Sequence, residues 1–336
     1  MAYCTVSIAG AQNDSRFGKS QFPIKSYIEK QGEGFEQESL LKHLFRFDPS
    51  KNFGEKYTGD TAMEDFEPVG EGGTYPENDF GEGFSQTLEH MTWKNRFVIT
   101  REMADDNKIG SMKKKANKLV TAYNRTRENF GRALYLGGLS GTTVTYKGKA
   151  FKTSAADGLA LFSKVHKNAG NNKTQSNLFA DTFNIDNLGK AETAMQNLKG
   201  DTGELLSVTP DTIWIPNNAA LKNTVFAAIG ADKDPATANN AFNYQYGRWN
   251  VIVDPYLSFM MSVLGINNAN LWFLLDSKFL EEQDGAVFLD RTKLDVKSVV
   301  DNNNDNNLWN GYARFTGGFV DWRYVLAGGV SGGSSL

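Results

Sequence analysis

The sequence predicts an α+β fold in which one unusually long helix follows a long acidic loop. Residues 101–136 repeat apolar side chains at intervals of three and four, which is the period of a helix. Short continuous apolar runs farther along, such as residues 212–216 and 270–276, are typical of buried strands. The 336 residues, 40% of them hydrophobic, are enough for a sizeable core and about two domains.

The first fifty residues show no sustained period except over residues 36–45, where we predict a short helix. We expect the rest of this segment to be an arm that becomes ordered on a partner surface. Residues 54–83 contain seven glycines and two prolines and predict a long loop or loose hairpin. Loops of this length are usually functional or disordered. Aromatic residues that can bury area on a partner argue against disorder here, namely Phe66, Tyr75, Phe80 and Phe84.

Residues 84–100 are predicted to be a strand that leads into the long helix. Acidic side chains near the start of residues 101–136 suit the dipole of a helix. Gly137 and Gly138 are expected to end the helix, and Gly110 and Gly131 to bend it. At about 1.5 Å per residue it would be roughly 54 Å long, far beyond an average globular helix.

Helices and strands are both predicted in the second half of the chain. The predicted helices are residues 188–199 and 219–230, and the predicted strands are residues 212–216, 249–253, 270–276, 287–300, 310–315 and 319–326. Gly317 and Gly318 are expected to form the turn between the last two strands. The Gly- and Ser-rich tail is predicted to be flexible.

Charged residues are segregated into two neighbouring segments. Residues 54–83 carry nine carboxylates and one basic residue, and residues 101–136 carry nine basic and four acidic residues. The formal net charge of the chain is only −3. Such segregation governs association and register rather than the fold, so we expect docking to copies of this chain or to an extended charged partner. The candidate docking residues are Glu64, Asp65, Phe66, Glu67, Glu71, Tyr75, Glu77, Asp79 and Phe80 in the loop, and Lys113, Lys114, Lys115, Lys118, Arg125, Arg127 and Arg132 in the helix.

The sequence offers little for catalysis, and we predict no catalytic residue, no cofactor and no metal site. It contains no nucleophile elbow, phosphate loop or dinucleotide fingerprint. The single cysteine, Cys4, excludes internal disulfides and cysteine-based zinc sites. The polar tract at residues 301–307 begins like a calcium loop, but Asn306 and Tyr312 stand where glycine and glutamate are required. A soluble hydrolase that uses carboxylates of the acidic loop is the enzymatic alternative.

Neither a membrane span nor a secretory signal is predicted, because no apolar run is long enough and the chain has no basic start followed by one. The basic helix allows three interpretations: a solvated face, self-association, or nonspecific contact with phosphates. Since the whole chain is slightly acidic, sequence-specific recognition of DNA is not expected.

Five segments follow one another in an order that resembles a known family. They are WKNRFVITREMADD at 93–106, DGLALFS at 157–163 with His166 and Ser176-Asn177 after it, TPDTIWIP at 209–216, WNVIVDPYL at 249–257 and LWFLLD at 271–276. This order resembles the major capsid proteins of tailed phages, especially the Mu-like major head subunit and its relatives with the Hong Kong 97-type fold. Lys167 follows the histidine where relatives often have proline.

The resemblance implies an α+β fold of Hong Kong 97 type with named regions. These would be an N-terminal arm (1–50), an extended β-hairpin loop (51–97), a peripheral domain (98–205) with a spine helix (101–136), an axial domain (206–285), and strands that return to both domains before a flexible tail (286–336).

The function that the resemblance implies is self-assembly into hexamers and pentamers that enclose phage DNA in the virion, after assembly in the bacterial cytoplasm. The implied partners are other copies of the chain, packaged double-stranded DNA, and scaffolding, portal and decoration proteins, with no membrane. We expect the acidic loop of one subunit to lie over the basic helix of a neighbour, and inward-facing basic residues to meet DNA. The alternative within this fold is an encapsulin-like compartment that holds protein cargo.

Overall fold

The structure, a computed structural model, describes residues 4–8, 18–60, 66, 68–75, 77, 82–171, 173–201, 203–230 and 242–336. The helices of these residues are α1 (Gly18–Glu38), a short 3₁₀ helix (Leu40–His43), α2 (Arg101–Asp105), α3 (Ile109–Ser140), α4 (Ile185–Gln196), α5 (Ala219–Ile229), α6 (Pro255–Val263) and α7 (Ser277–Glu282). The strands are β1 (Cys4–Ile8), β2 (Arg46–Pro49), β3 (Gly54–Asp60), β4 (Glu82–Glu89), β5 (Met91–Ile99), β6 (Thr143–Tyr146), β7 (Lys149–Lys152), β8 (His166–Lys167), β9 (Thr174–Gln175), β10 (Thr212–Pro216), β11 (Asn250–Asp254), β12 (Trp272–Leu275), β13 (Ala286–Asp301), β14 (Asn306–Phe319) and β15 (Val325–Gly328).

The larger sheet is built around two long antiparallel strands, β13 and β14. Its strand order is β1-β13-β14-β5, and β2 also pairs with β13. β1 joins β13 at residues 294–298 and β2 joins it at residues 287–290, both in parallel. Between these two stretches the register of β13 against β14 shifts twice. Shifts of this kind mark bulges, which bend a strand locally.

Helix α3 packs along this sheet through an aromatic core. Phe130 of α3 is fully buried and meets Phe151 at 4.8 Å between ring centroids. Trp93 of β5 stacks on Phe315 of β14 at 4.9 Å and lies 5.5 Å from Phe130. These rings fix the long helix to both the sheet and the β6–β7 hairpin.

The prediction of one helix over residues 101–136 is wrong at both ends. A turn separates α2 from α3, and Asn107 in this turn has a φ of 53°, a conformation that asparagine tolerates better than most residues. Gly137 and Gly138 lie inside α3, and Gly141 caps it. A β-carbon on Gly137 would lie 2.8 Å from Cγ2 of Thr153. These two glycines therefore permit close packing rather than ending the helix.

The second sheet has the order β11-β10-β12-β15. Every residue of β10, β12 and β15 is buried, which explains their continuous apolar sequences. Trp214 of β10 stacks on Phe273 of β12 at 4.7 Å and meets Tyr135 of α3 at 5.1 Å. The hydrophobic core thus runs without interruption from the long helix into this sheet.

The prediction of a single short helix at residues 36–45 is also wrong, whereas the N-terminal arm as a domain stays a prediction. Residues 18–38 form helix α1, which packs on α3 and β1. Ile24 and Ile28, four residues apart, are fully buried on one face of this helix. The 3₁₀ helix and β2 follow, so this part of the chain is held by its own subunit.

The C-terminal part differs from the prediction in two respects. Gly317 and Gly318 lie inside the single strand β14, where Gly318 leaves room for the side chain of Leu88, and not in a turn. The tail is tied down: the amide of Ser334 donates to the carbonyl of Leu178 at 2.9 Å, and the amide of Leu336 donates to Asp181 at 2.8 Å. Composition alone does not reveal such long-range partners.

Candidate functional site

Strands β3 and β4 form a two-stranded hairpin that pairs with none of the other strands in the described part of the chain. Their register runs from Gly54 opposite Glu89 to Asp60 opposite Glu82. The middle of the ladder, where Tyr57 lies opposite Gln86, is fastened by side chains. Gln86 Nε2 donates to the carbonyl of Ser154 at 3.0 Å, and the Tyr57 hydroxyl lies 3.2 Å from Asp48. These side-chain contacts hold the hairpin to the body of its own subunit.

The described residues at the tip of the hairpin are exposed. Phe66 is fully exposed and Tyr75 is 94% exposed. Glu71 and Glu77 are exposed beside them. The other candidate loop residues lie outside the described residues: Glu64, Asp65, Glu67, Asp79 and Phe80. Large exposed aromatic side chains among carboxylates are a feature of surfaces that meet a partner.

The basic side chains of α3 divide into surface and interior groups. Lys114, Lys118 and Arg125 are exposed, and Lys113 and Lys115 are half-buried. The ammonium group of Lys115 donates to the carbonyl of Val98 at 2.7 Å. These five residues remain candidates for contact with a neighbour or with DNA.

Arg127 was expected at such an interface, and its position in the structure corrects that expectation. Its guanidinium binds Asp290 of β13 through two hydrogen bonds of 2.8 Å each, and both side chains are buried. The same guanidinium lies over the ring of Phe288 at 4.9 Å. Arg127 therefore stabilises the core of its own subunit through its ion pair and its contact with aromatic rings.

The expectation for Arg132 is corrected in the same way. Arg132 is fully buried and its Nε donates to Asp254 at 2.7 Å, while its Nη1 contacts Glu128. Asp254, also fully buried, accepts from the indole of Trp214 at 3.1 Å and from the first amides of α6, including that of Tyr256 at 2.9 Å. This network joins the long helix to the second sheet.

A chain of hydrogen bonds holds the start of the hairpin. Nε2 of His90, between β4 and β5, lies 2.8 Å from Oγ of Ser50, and that hydroxyl donates to Glu55 at 2.7 Å. Burial, followed by the charges of Arg314 and Arg291, lowers the pKa of His90. Because Glu55 contacts the serine and not the histidine, the order is not that of a catalytic triad.

The DGLALFS segment and the histidine after it also meet in the structure. Nδ1 of His166 lies 2.6 Å from Asp157, its Nε2 faces the carbonyl of Leu161 at 3.2 Å, and its ring stacks on Trp322 at 4.2 Å. Asn177 donates to the same Leu161 carbonyl at 2.9 Å. The side chains of His166 and Asp157 are buried, and their contacts hold this loop in place.

Among the described residues, no three His, Cys, Asp or Glu side chains are grouped so that they could hold a metal ion, and no helix could cross a membrane. The described features are a folded body, a projecting acidic hairpin and an exposed basic strip. Exposed aromatic and charged side chains of this kind are typical of a protein that binds other macromolecules through its surface.

Comparison with known proteins supports this class and identifies the family. The family model described as "Phage capsid protein" matches residues 85–328. The chain belongs to this family and is a subunit of a multi-subunit capsid shell, so its place is the virion. No curated protein sequence matches the chain.

Two solved structures show the fold. The capsid of the cyanophage P-SCSP1u has a TM-score of 0.52 at 7% identity, covering 86% of this chain and 87% of that chain. The structure titled "Mycobacterium phage Patience" has a TM-score of 0.50 at 11% identity, covering 96% and 90%. The expected α+β fold of Hong Kong 97 type is thereby confirmed. Membership of the Mu-like branch and the domain boundaries stay predictions.

Proposed function

We propose that this capsid subunit is the major head protein of a tailed phage, which forms hexamers and pentamers that close an icosahedral shell around double-stranded DNA. The observation that carries the proposal is the hairpin, an anchored ribbon whose exposed aromatic and acidic tip has no burial on its own subunit among the described residues. Assembly would occur in the bacterial cytoplasm, with portal, scaffolding and decoration proteins as further partners.

Multiplication of weak contacts would drive closure of the shell. An exposed ion pair contributes about 0–1 kcal/mol, so no single contact between hairpin and neighbour suffices. Repetition around symmetry axes makes the collective contribution large. The exposed basic side chains of α3 supply one counter-surface for the acidic hairpin, and those that face inward would meet phosphates.

Expression of the chain alone, followed by size-exclusion chromatography and negative-stain imaging, tests the proposal. We expect hollow particles of megadalton size. A stable monomer or small oligomer that hydrolyses model esters would instead support the hydrolase alternative. Particles isolated from infected cells should protect DNA from nuclease, whereas protein cargo without DNA would identify an encapsulin-like compartment.

Reversal of the lysine triplet (residues 113–115) to glutamate tests the electrostatic part. We expect the variant to give fewer particles than the wild type without loss of the far-UV circular dichroism of the subunit. The difference in yield between variant and wild type should be smaller at high salt, because salt screens exposed charges. The matched control reverses three exposed lysines elsewhere, Lys164, Lys167 and Lys173, and thus makes the same change in net charge. Equal yields from triplet and wild type at every salt concentration would refute the role of the triplet.

A further inference from the structure

Each strand of the β3–β4 hairpin continues directly into a strand of the large sheet. β2 is followed by residues 50–53 and then by β3, and β4 is followed by His90 and then by β5. We call residues 50–53 and His90 the joint. Backbone hydrogen bonds tie the joint together and to β13: the amide of His90 donates to the carbonyl of Phe53 at 3.1 Å, and the amide of Ser50 donates to the carbonyl of Asp290 at 3.2 Å. The joint therefore fixes where the hairpin leaves the sheet.

The hydrogen bonds of the joint determine which nitrogen of the His90 ring carries its hydrogen. The hydrogen bond from Ser50, more than any other contact, lowers the pKa of Glu55, so the ionised carboxylate can only accept. Because the single hydroxyl proton of Ser50 is donated to Glu55 at 2.7 Å, the serine oxygen must accept from Nε2 of His90, 2.8 Å away. The neutral imidazole therefore has its hydrogen on Nε2, and protonation of His90 would add a second hydrogen at Nδ1.

The described residues offer no acceptor for that second hydrogen. His90 is only 6% exposed, and its Nδ1 is buried without a hydrogen-bond partner in the described part of the chain. The charged groups that act on the ring are Arg314 of β14, Arg291 and Asp290 of β13, and Glu55 of β3. Burial has the largest effect and the two arginines come next, and together they outweigh the carboxylates and lower the pKa of His90. A proton on this ring is therefore disfavoured while the joint is closed.

We propose that His90 is a pH-sensitive switch, which holds the hairpin to the sheet when the imidazole is neutral and releases it when the imidazole is protonated. In the open joint the ring would be hydrated, so it would bind a proton with the ordinary pKa of histidine, about 6.5. The closed joint is therefore favoured above about pH 6.5, and it loses this advantage as the pH falls through the lower pKa of His90 in the closed state. Between these two pKa values, each unit fall in pH raises the ratio of open to closed joints by up to about tenfold. The inference concerns the single subunit and does not depend on assembly into a shell.

Hydrogen exchange of the unassembled full-length subunit, measured by mass spectrometry, tests the proposal. After correction for the intrinsic dependence of exchange on pH, the amides of β3 and β4 should exchange about three- to tenfold faster at pH 5.5 than at pH 7.5, whereas those of β10 should show no such change. His90→Gln keeps a donor for Ser50 but cannot gain a charge, so its hairpin amides should exchange at one slow corrected rate at both pH values. Equal corrected rates in the wild type, or a pH dependence that persists in His90→Gln, would overturn the proposal.

A second variant decides the matter if glutamine itself opens the joint at both pH values. Arg314→Met removes the charge that most disfavours protonation of His90 and keeps a long side chain in its place. The pKa of His90, followed through the NMR signal of the ring that is missing in His90→Gln, should rise in this variant, and the acceleration of hairpin exchange between pH 7.5 and pH 5.5 should become smaller than in the wild type. A pKa of His90 that Arg314→Met leaves unchanged, or an acceleration of exchange that stays the same while this pKa rises, would overturn the proposal.

Asp284→Asn distinguishes His90 from the other titratable contacts of the hairpin. The hydroxyl of Tyr57 donates to Asp48, which shares Arg46 with Asp284, and burial raises the pKa of Asp284. This variant should keep the wild-type dependence of hairpin exchange on pH. If the dependence disappears in Asp284→Asn, the switch is this carboxylate and not His90, and the proposal is wrong.

Discussion

Asp254 is the residue whose loss should most weaken the link between the long helix and the second sheet. It is fully buried and accepts hydrogen bonds from Arg132, from the indole of Trp214 and from the first amides of α6. Replacement by alanine removes all of these acceptors at once. It also leaves the guanidinium of Arg132 buried with Glu128 as its remaining carboxylate partner.

The expected magnitude follows from the kind of contact that is lost. Breaking a buried ion pair by removal of one partner costs about 3–5 kcal/mol. Loss of an N-cap side chain costs about 1 kcal/mol, and loss of a neutral hydrogen bond about 1 kcal/mol. These costs are not additive within one network, so we expect Asp254→Ala to lower the free energy of unfolding by about 3–5 kcal/mol.

Unfolding of unassembled subunits in guanidinium chloride, monitored by tryptophan fluorescence and circular dichroism, measures this change in free energy. Asp254→Asn separates the contributions, because asparagine is a good N-cap but its amide nitrogen would face the donors of Arg132 and Trp214. It should be about 1 kcal/mol more stable than the alanine variant. Glu282→Ala is the control: its ion pair with Lys278 is exposed, and its loss should cost less than about 1 kcal/mol. A loss below about 1 kcal/mol for Asp254→Ala would refute the reasoning.

Three further outcomes follow from the contacts. Burial lowers the pKa of His90, so the folded state binds its proton less well than the unfolded state. The resulting contribution to stability is present above about pH 6.5 and is lost as the pH falls through the lower pKa of His90 in the folded state. The urea concentration at the midpoint of unfolding should therefore fall between pH 7 and pH 5, and it should fall less in His90→Gln. Gly137→Ala should lower the free energy of unfolding by about 1–3 kcal/mol, because Thr153 occupies the space that the new β-carbon needs. At Gly110 nothing lies within 4 Å, so Gly110→Ala should raise the free energy of unfolding by up to about 1 kcal/mol. Equal melting temperatures of the two variants would contradict this. Burial, followed by the charges of two nearby carboxylates, raises the pKa of Cys4 to about 12. Ellman's reagent at pH 8 should therefore label this thiol only after the subunit unfolds. Rapid labelling of the native subunit would show that the thiol is accessible and would contradict this.

The sequence predicted the elements whose signal is local. Strand β10 was predicted with its observed bounds, because four apolar residues follow Thr212 without interruption. Helix α6 was missed, although Asp254 and Pro255 form an N-cap and first-turn pair. The same two residues also end a strand, and the short apolar run after them does not distinguish helix from strand.

The candidate site was predicted less completely than the fold, because charge in a sequence does not reveal burial. In the sequence, Arg127 and Arg132 are basic residues of the same predicted helix as the lysines, and nothing marks them as buried. Their partners Asp290 and Asp254 lie more than a hundred positions away. Arginine favours buried pairs because its planar guanidinium forms several directed hydrogen bonds, whereas lysine is more strongly hydrated. The gap along β13 between residues 290 and 294 could not be predicted either, since it arises from where β1 and β2 stop pairing with this strand.

The hairpin would have a mechanical consequence in the proposed shell, where copies of the subunit would occupy non-equivalent positions. The two sheets and α3 share a continuous core that is cross-linked by Arg132 and Asp254, so the body resists bending. A two-stranded ribbon without other partners is marginally stable and deforms at little cost. The hairpin, which Tyr57 and Gln86 help to hold to the body, is therefore the part of the subunit that we expect to deform most easily. Differences in local curvature, such as those between five- and six-membered rings, would be absorbed by the angle of the hairpin while the body stays the same.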